Sequence, residues 1–218
     1  MPSRLADPSV AEGADVALAP SRRFWIVAAL VAVLVGAIAF AGGALLARPH
    51  YPAEGSADVG FARDMSAHHA QAVSMGIEEH AATSDKFLRD ISIDIALTQQ
   101  AQIGMMGTWL DDWGLPAHTD ADPMAWMPSG SAELKDGLMP GMASQDTMTK
   151  FRAATGKEKD IMFCQLMISH HLGGIHMIEG ALKAAHDERL LRLARGMKAA
   201  QQYEIQMLQD QLKRVQGS

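Results

Sequence analysis

The chain has 218 residues, one cysteine and a formal net charge of −6, and residues 48–218 carry 16 Lys and Arg against 22 Asp and Glu. This length allows one domain with extensions. The single cysteine excludes an intramolecular disulfide, and an acidic body without a basic stripe argues against nucleic acid as a partner.

An uncharged apolar segment covers residues 24–46 and directly follows the basic pair Arg22 and Arg23. As a helix this segment would extend roughly 34 Å, enough to cross the hydrocarbon core of a bilayer. Because basic residues stay on the cytoplasmic side, we predict a single-pass anchor with the N-terminus inside and the remainder outside the cytoplasm. A cleaved signal peptide is the alternative, with an A-x-A site at Ala39-Phe40-Ala41. The predicted order is a disordered cytoplasmic tail (1–23), a transmembrane anchor (24–46) and a linker (47–57).

Apolar residues at helical spacing predict four long helices over residues 58–216. Asp58 is the predicted N-cap of the first, and the turn Thr83-Ser84-Asp85 separates it from the second. Thr155-x-x-Glu158 predicts a capping box for the third, and Asp187 starts the fourth. A Met- and Pro-rich connector over 113–156, helical only over 144–153, joins the hairpins 58–112 and 157–216. We expect this connector to act as a lid or collecting arm.

The two hairpins repeat one pattern at an offset of 102 residues. Met65-x-x-His68-His69 recurs as Met167-x-x-His170-His171, and residues 58–110 share 14 identities in 53 positions with the later copy. Chance would give about three or four, so the chain contains an internal duplication. Neither hairpin can bury its apolar stripe alone. The predicted fold class is therefore all-α: an antiparallel four-helix bundle made of two duplicated helical hairpins and preceded by one N-terminal transmembrane helix.

The residues that the two copies share are largely His and Met, which are soft to borderline metal ligands. Adjacent histidines on a helix diverge by about 100°, so one His from each pair is predicted to bind a metal across the bundle, with Met on the same helical face. The predicted metal ligands are His68, His69, His170, His171, Met65, Met167, Met75 and Met177.

Antiparallel pairing around the two turns brings polar residues to the level of the histidines. It places His68 opposite Gln99 and His170 opposite Gln201, and it places Met167 opposite Glu204. Gln99, Gln201 and Glu204 are therefore predicted to surround and support the ligands, because a buried polar side chain needs a partner. The alternative is a hydrogen-bonded polar core that binds no metal.

The doubled motif resembles the bacterial domain-of-unknown-function family three hundred and five. Its hallmarks are M-x-x-H-H in one helix and Q-x-x-E-I-x-x-M in the next, and the match covers 58–112 and 139–212, including Met139-Pro140-Gly141-Met142. The resemblance implies a ferritin-like bundle, copper binding outside the cytoplasm as in some members, and characteristic positions at the two His pairs and their flanking Met. Glu204 matches the acidic position of the family, whereas Gln102 replaces it in the first copy.

The predicted function is a membrane-anchored, extracytoplasmic metal-binding protein that sequesters or handles copper. His with Met favours Cu(I), and Cu(II) or Zn are the alternatives. Di-iron chemistry is disfavoured because the chain has no Glu-x-x-His, and no catalytic triad, phosphate loop or dinucleotide fingerprint is present. The expected partners are the metal ion and the membrane. Two alternatives remain: an interaction module of the cell envelope and a copper-dependent redox enzyme.

Overall fold

The structure, a computed structural model, describes residues 21–46 and 51–217. Within those ranges every regular element is helical, and the extended backbone forms only an isolated bridge between Lys135 and Leu138. The prediction of an all-helical chain is confirmed. The chain divides into two compact units, residues 1–50 and 51–218.

The first unit contains one helix, α1 (Arg22–Leu46). Its part from Arg22 to Ala44 has a mean hydropathy of 2.7 and is unburied, so it is long and apolar enough to cross a membrane. A signal sequence near an N-terminus has the same properties. The predicted tail over 1–23 and linker over 47–57 lie partly outside the described residues, which omit 1–20 and 47–50.

The second unit is built from five helices: α2 (Ala57–Ala82), α3 (Lys86–Asp112), α4 (Gln145–Ala153), α5 (Gly156–Ala184) and α6 (Glu188–Gly217). A 3-10 turn (Gly130–Glu133) lies in the connector. The four predicted long helices and the short connector helix are confirmed. α5 also has the length and apolarity of a membrane span, but half of its apolar window is buried, as expected of a core helix.

The residues predicted to cap the helix N-termini do so in some helices and not in others. Asp85 caps α3 by accepting a hydrogen bond from the Leu88 N–H at 2.9 Å. The prediction that Asp58 caps α2 is wrong, because the Ser56 hydroxyl caps that helix. The Asp58 carboxylate instead accepts the N–H groups of His186 and Asp187, at 2.8 and 2.6 Å, in the turn between α5 and α6. Thr155 does precede α5, but its side chain makes no capping hydrogen bond.

Among the long helices, α2 packs on α3, α5 packs on α6, and α2 packs on α5. These two run antiparallel, since Asp58 near the start of α2 bonds the turn that follows α5. Two buried apolar clusters result, one containing Met65 and Met177 and the other containing Met75 and Met167. The paired histidines lie between the clusters along both helices. These pairwise contacts do not establish a ferritin-like four-helix bundle, which stays a prediction.

The connector packs on the helices through specific hydrogen bonds. The Asp64 carboxylate accepts the Met124 N–H at 2.7 Å and the Trp126 indole N–H at 2.8 Å. Met124 and Met139 are both buried in the apolar cluster that contains Met65. These two methionines are therefore core residues, and the role of the connector as a lid or collecting arm stays a prediction.

Candidate metal centre

Four imidazoles form a buried layer where α2 and α5 pass each other. His68, His69 and His171 are 0% exposed and His170 is 1% exposed. The ring centroids of His68 and His170, the equivalent residues of the two copies, are 3.8 Å apart with an interplanar angle of 35°. The centroids of His170 and His171 are 6.3 Å apart. The duplication therefore places the two His pairs in contact across the centre of the second unit.

The first pair has one partner in the connector and one in α3. The Nε2 atom of His68 lies 2.9 Å from the Pro140 carbonyl oxygen. The Nε2 atom of His69 lies 2.7 Å from the Gln102 amide oxygen. Both partners are acceptors, so both Nε2 atoms carry the hydrogen and donate it.

The second pair follows the same rule with different partners. His170 donates from Nε2 to the backbone carbonyl of His68 at 2.8 Å. His171 donates from Nε2 to the Glu204 carboxylate at 2.7 Å. A neutral imidazole that carries its hydrogen on Nε2 keeps a lone pair on Nδ1. An oxygen acceptor at Nε2 therefore orients each of the four rings, and in a neutral ring Nδ1 is left as the atom that can bind a metal.

Three of these Nδ1 atoms are buried and have no hydrogen-bond partner: those of His68, His69 and His171. A buried polar atom without a partner costs about 1–3 kcal/mol. Metal ligation would remove that cost, and imidazole nitrogen is a good ligand for copper and zinc. These three nitrogens are therefore candidate metal ligands.

Burial also disfavours the charged form of three of the imidazoles, those of His68, His69 and His170. Desolvation, the largest cause, lowers the pKa of His68 to about 4 and that of His69 to about 3. The pKa of His170 lies well below its usual value for the same reason, and the neighbouring imidazoles lower it further. A proton therefore does not compete with a metal for the nitrogens of His68, His69 and His170 at neutral pH.

The hydrogen bonds differ from the pairing predicted by helix level. Gln102 and Glu204 bond His69 and His171, each four residues further from the turn than that pairing implied. The cause is the tilt of each Cα–Cβ bond toward the N-terminus of its own helix. In an antiparallel pair, the side chain of the first helix leans away from the turn and that of the second leans toward it. Side chains in contact therefore belong to Cα atoms at different levels.

The predicted supporting glutamines are buried at the level of the layer. Gln99 and Gln201 are 3% and 4% exposed, and neither amide atom of Gln99 nor the oxygen of Gln201 has a hydrogen-bond partner. Gln201 packs on Gly174 of α5, where a Cβ would lie 2.7 Å from its amide oxygen. Together with Glu204, which bonds His171, these side chains place polar groups of α3 and α6 at the level of the imidazoles.

The predicted Met ligands are all fully buried. Met65 and Met167 precede the His pairs by one helical turn, and Met75 and Met177 follow them by about two. In the part of the chain that the structure describes, no group of three or more His, Cys, Asp or Glu side chains is arranged to hold a metal ion. Besides the imidazoles, the thioethers of these buried methionines are the candidate ligands.

One partner of the histidines could not be predicted from residue type. Pro140 contributes only its backbone carbonyl, which no side-chain signal can indicate, although it belongs to the Met139-Pro140-Gly141-Met142 run. Gly141 has a φ of +79°, and a Cβ at Gly173 of α5 would overlap the Pro140 carbonyl oxygen. These two glycines allow the connector backbone to lie directly against α5 and to reach His68.

The chain belongs to the family called domain of unknown function DUF305, whose pattern matches residues 58–212. A crystal structure of a DUF305 protein from Streptomyces coelicolor is 42% identical, with a TM-score of 0.69 over 75% of this chain and 96% of that one. A DUF305 fragment from Deinococcus radiodurans is 28% identical, with a TM-score of 0.62 over 77% of this chain and 99% of that one.

A more distant solved structure is CopM in its Cu(I)-bound form. It is 18% identical, with a TM-score of 0.57 over 72% of this chain and 96% of that one. At this identity the likeness shows a shared fold. None of the curated proteins matches the chain.

Proposed function

We propose that this protein is a membrane-anchored, extracytoplasmic copper-binding protein that sequesters Cu(I) or hands it to another molecule. The observation that carries the proposal is the set of four buried imidazoles whose Nε2 atoms are all bonded to oxygen acceptors. The Nδ1 atoms of His68, His69 and His171 are buried and have no hydrogen-bond partner. A purely structural core would be expected to pair both nitrogens of a buried histidine.

The ligands proposed for the ion are imidazole Nδ1 atoms of the two His pairs and thioethers of the buried methionines. Met65 and Met167 lie one turn from the histidines on the same helical faces, and Met75 and Met177 extend these faces beyond the layer. Gln102 and Glu204 orient the rings from outside, with Gln99 and Gln201 beside them. The four helices then act as a ferritin-like bundle that holds soft ligands in its interior.

The chemistry of the layer favours Cu(I) over Cu(II) and Zn. Thioethers select soft ions, and the charge of a buried ion raises its desolvation cost steeply. Among the described groups that bond the four imidazoles, the Glu204 carboxylate is the one that carries a negative charge, so a monovalent ion suits the site better than a divalent one. CopM, which shares the fold, has been solved in Cu(I)-bound, Cu(II)-bound and Ag-bound forms.

The location proposed for this activity is the outer side of the cell membrane. α1 is long and apolar enough to anchor the chain, and Arg22 and Arg23 at its start favour a cytoplasmic N-terminus. The related protein from Streptomyces coelicolor is described as a secreted protein. The copper site would therefore lie where an exported ion must be bound or passed on.

The test replaces His68 and His170 with Gln in the full chain. Gln places its amide nitrogen near the position of Nε2, so it keeps the bonds to the Pro140 and His68 carbonyls and removes both Nδ1 ligands. We expect the native protein to retain copper after incubation with Cu(I) under reductant, and the double variant to retain none. His80→Gln is the matched control, because His80 bonds the Arg89 carbonyl outside the layer.

Two measurements are required, the copper count per chain and the melting temperature. A ligand that binds only the native state at 100 times its Kd adds about 2.7 kcal/mol to the free energy of unfolding. A double variant that folds, retains as much copper as the native protein and shows the same thermal shift would exclude His68 and His170 as ligands. If the native protein retains no copper, the histidine layer is a polar core that binds no metal.

A further inference from the structure

The connector closes one face of the histidine layer. The loop that contains Pro140 contacts His68 directly, and Gln71 fixes that loop by bonding both the N–H and the carbonyl of Ala143, at 2.7 and 2.9 Å. A Cβ at Gly173 would overlap the Pro140 oxygen. Backbone therefore lies against backbone here, with no space for a methyl group and none for an ion to pass.

The face between α3 and α6 is open by comparison. A cleft of about 280 Å³ lies between these helices, lined by the carboxylates of Asp90, Asp94 and Glu204 together with Tyr203 and Met207. Asp90 and Asp94 are exposed to solvent. The cleft therefore combines negative charge at its mouth with a thioether on its wall, a combination that attracts soft cations.

A smaller cavity lies beside this cleft, between the same two helices. Ala200 and Glu204 line both cavities, so the two share a wall. The smaller one has a volume of about 10 Å³, room for about one water molecule or one bare ion. Its remaining polar lining includes Gln99, Gln102 and Gln201.

The amides of this smaller cavity have unused acceptor capacity. Gln99 is 3% exposed and both its amide atoms lack partners, and the amide oxygen of Gln201, which is 4% exposed, lacks one as well. A cation would interact favourably with these oxygens. Glu204 connects the two regions, since its side chain is 18% exposed and bonds the fully buried His171 at 2.7 Å.

We propose that the cleft and the smaller cavity form the entrance by which a soft monovalent cation reaches the histidine layer, an inference that rests on the proposed function. Asp90 and Asp94 attract the ion from solvent. The amide oxygens of Gln99 and Gln201 replace its water as it enters the smaller cavity. Glu204 supplies the negative charge at the inner end of this path, and it delivers the ion to the imidazole that it already contacts.

The test obstructs the passage without touching a proposed ligand. Ala200→Phe places a ring at the boundary of the two cavities, and Ala199→Phe, one residue away on the exposed face of α6, is its matched control. The full chain in detergent is mixed with Cu(I) supplied as its weak acetonitrile complex. Excess coloured Cu(I) chelator quenches the mixture at set times, and its absorbance gives the copper that the protein has not yet taken up.

We expect Ala200→Phe to slow uptake by about tenfold or more while the final copper count stays that of the native protein. Ala199→Phe should bind at the native rate. If Ala200→Phe does not fold, Thr98→Phe obstructs the smaller cavity from α3, with the exposed neighbour Leu97→Phe as its control. Replacing Asp90 and Asp94 with Asn should slow uptake at low salt and leave it nearly unchanged at high salt.

The outcomes separate the two proposals. Uptake by a folded obstructed variant at the native rate, with normal copper content, overturns the entrance and leaves the copper site standing. A native protein that holds no copper at equilibrium overturns the proposed function and the entrance with it. Slow uptake in both Phe variants and their controls also refutes a specific path between α3 and α6.

Discussion

Replacing Glu79 with Gln should stabilise the second unit at high pH and leave it nearly unchanged at low pH. Glu79 lies near the end of α2, is 0% exposed, and neither of its carboxyl oxygens has a donor. Its neighbour is the Asp160 carboxyl at the start of α5, and two carboxyl groups share a hydrogen bond only when one holds a proton. Burial first, and Asp160 second, raise the pKa of Glu79 to about 8, although the nearby Lys159 lowers it.

The sign follows from the protons bound in each state. The unfolded carboxyl releases its proton near the ordinary glutamate pKa of 4.5, whereas the folded one keeps it until about pH 8. Between these values the native state binds more protons, so its stability falls as pH rises, by up to about 1.4 kcal/mol per pH unit. The cumulative loss is below about 1 kcal/mol at pH 5 and on the order of 4 kcal/mol at pH 8.

Urea unfolding of residues 51–218 at a series of pH values measures this loss directly. Gln cannot ionise, and its amide can donate to Asp160 as the protonated acid does. The midpoint of the variant should therefore exceed that of the native protein by roughly 1–2 M urea at pH 8, for an m-value of about 2 kcal/mol/M. Glu78→Gln is the control, because Glu78 is only half-buried and pairs with Arg152. Equal midpoint differences at pH 5 and pH 8 for Glu79→Gln would refute the shared proton.

Two further substitutions test how the connector and the helix ends are held. Gly173→Ala should destabilise the unit by about 1–3 kcal/mol, because the added Cβ would overlap the Pro140 carbonyl. A Cβ at Gly196 would meet nothing within 4 Å, so Gly196→Ala should stabilise its helix by up to about 1 kcal/mol. Urea midpoints of the two variants that shift in the same direction would contradict this prediction. Asp58→Ala should cost about 2 kcal/mol by leaving two N–H groups of the α5–α6 turn without their acceptor. Faster amide hydrogen exchange at His186 and Asp187 is the specific readout, and unchanged exchange there would contradict the assigned role.

The elements themselves were predictable because they depend on short stretches of chain. The turn at Thr83-Ser84-Asp85 and the cap that Asp85 provides to α3 involve residues within a few positions of each other. The repeated motif placed the histidines in the middle of their helices. The spacing of the apolar residues along each helix indicated which face is buried. Helix type and the position of the His pairs followed from these local patterns.

The hydrogen-bond partners of the site depend on contacts between distant parts of the chain. The acceptor for His68 is a backbone carbonyl 72 residues away, and the acceptor for His170 is the backbone of its counterpart 102 residues away. Every residue carries such a carbonyl, so composition and spacing hold no information about which one is used. The close approach of the connector to α5, through Gly141 and Gly173, selects it.

The same division explains the four-residue error in the pairing of the helices. Helix length and turn position can be read from the chain alone, and they set the level of each Cα atom. These two properties were enough to predict that polar side chains of α3 and α6 lie near the histidine layer. Only the packed helices show that Gln102 and Glu204 make the bonds, because contact depends on the direction of each side chain. That direction follows the tilt of Cβ toward the helix N-terminus, and its effect is doubled between antiparallel partners.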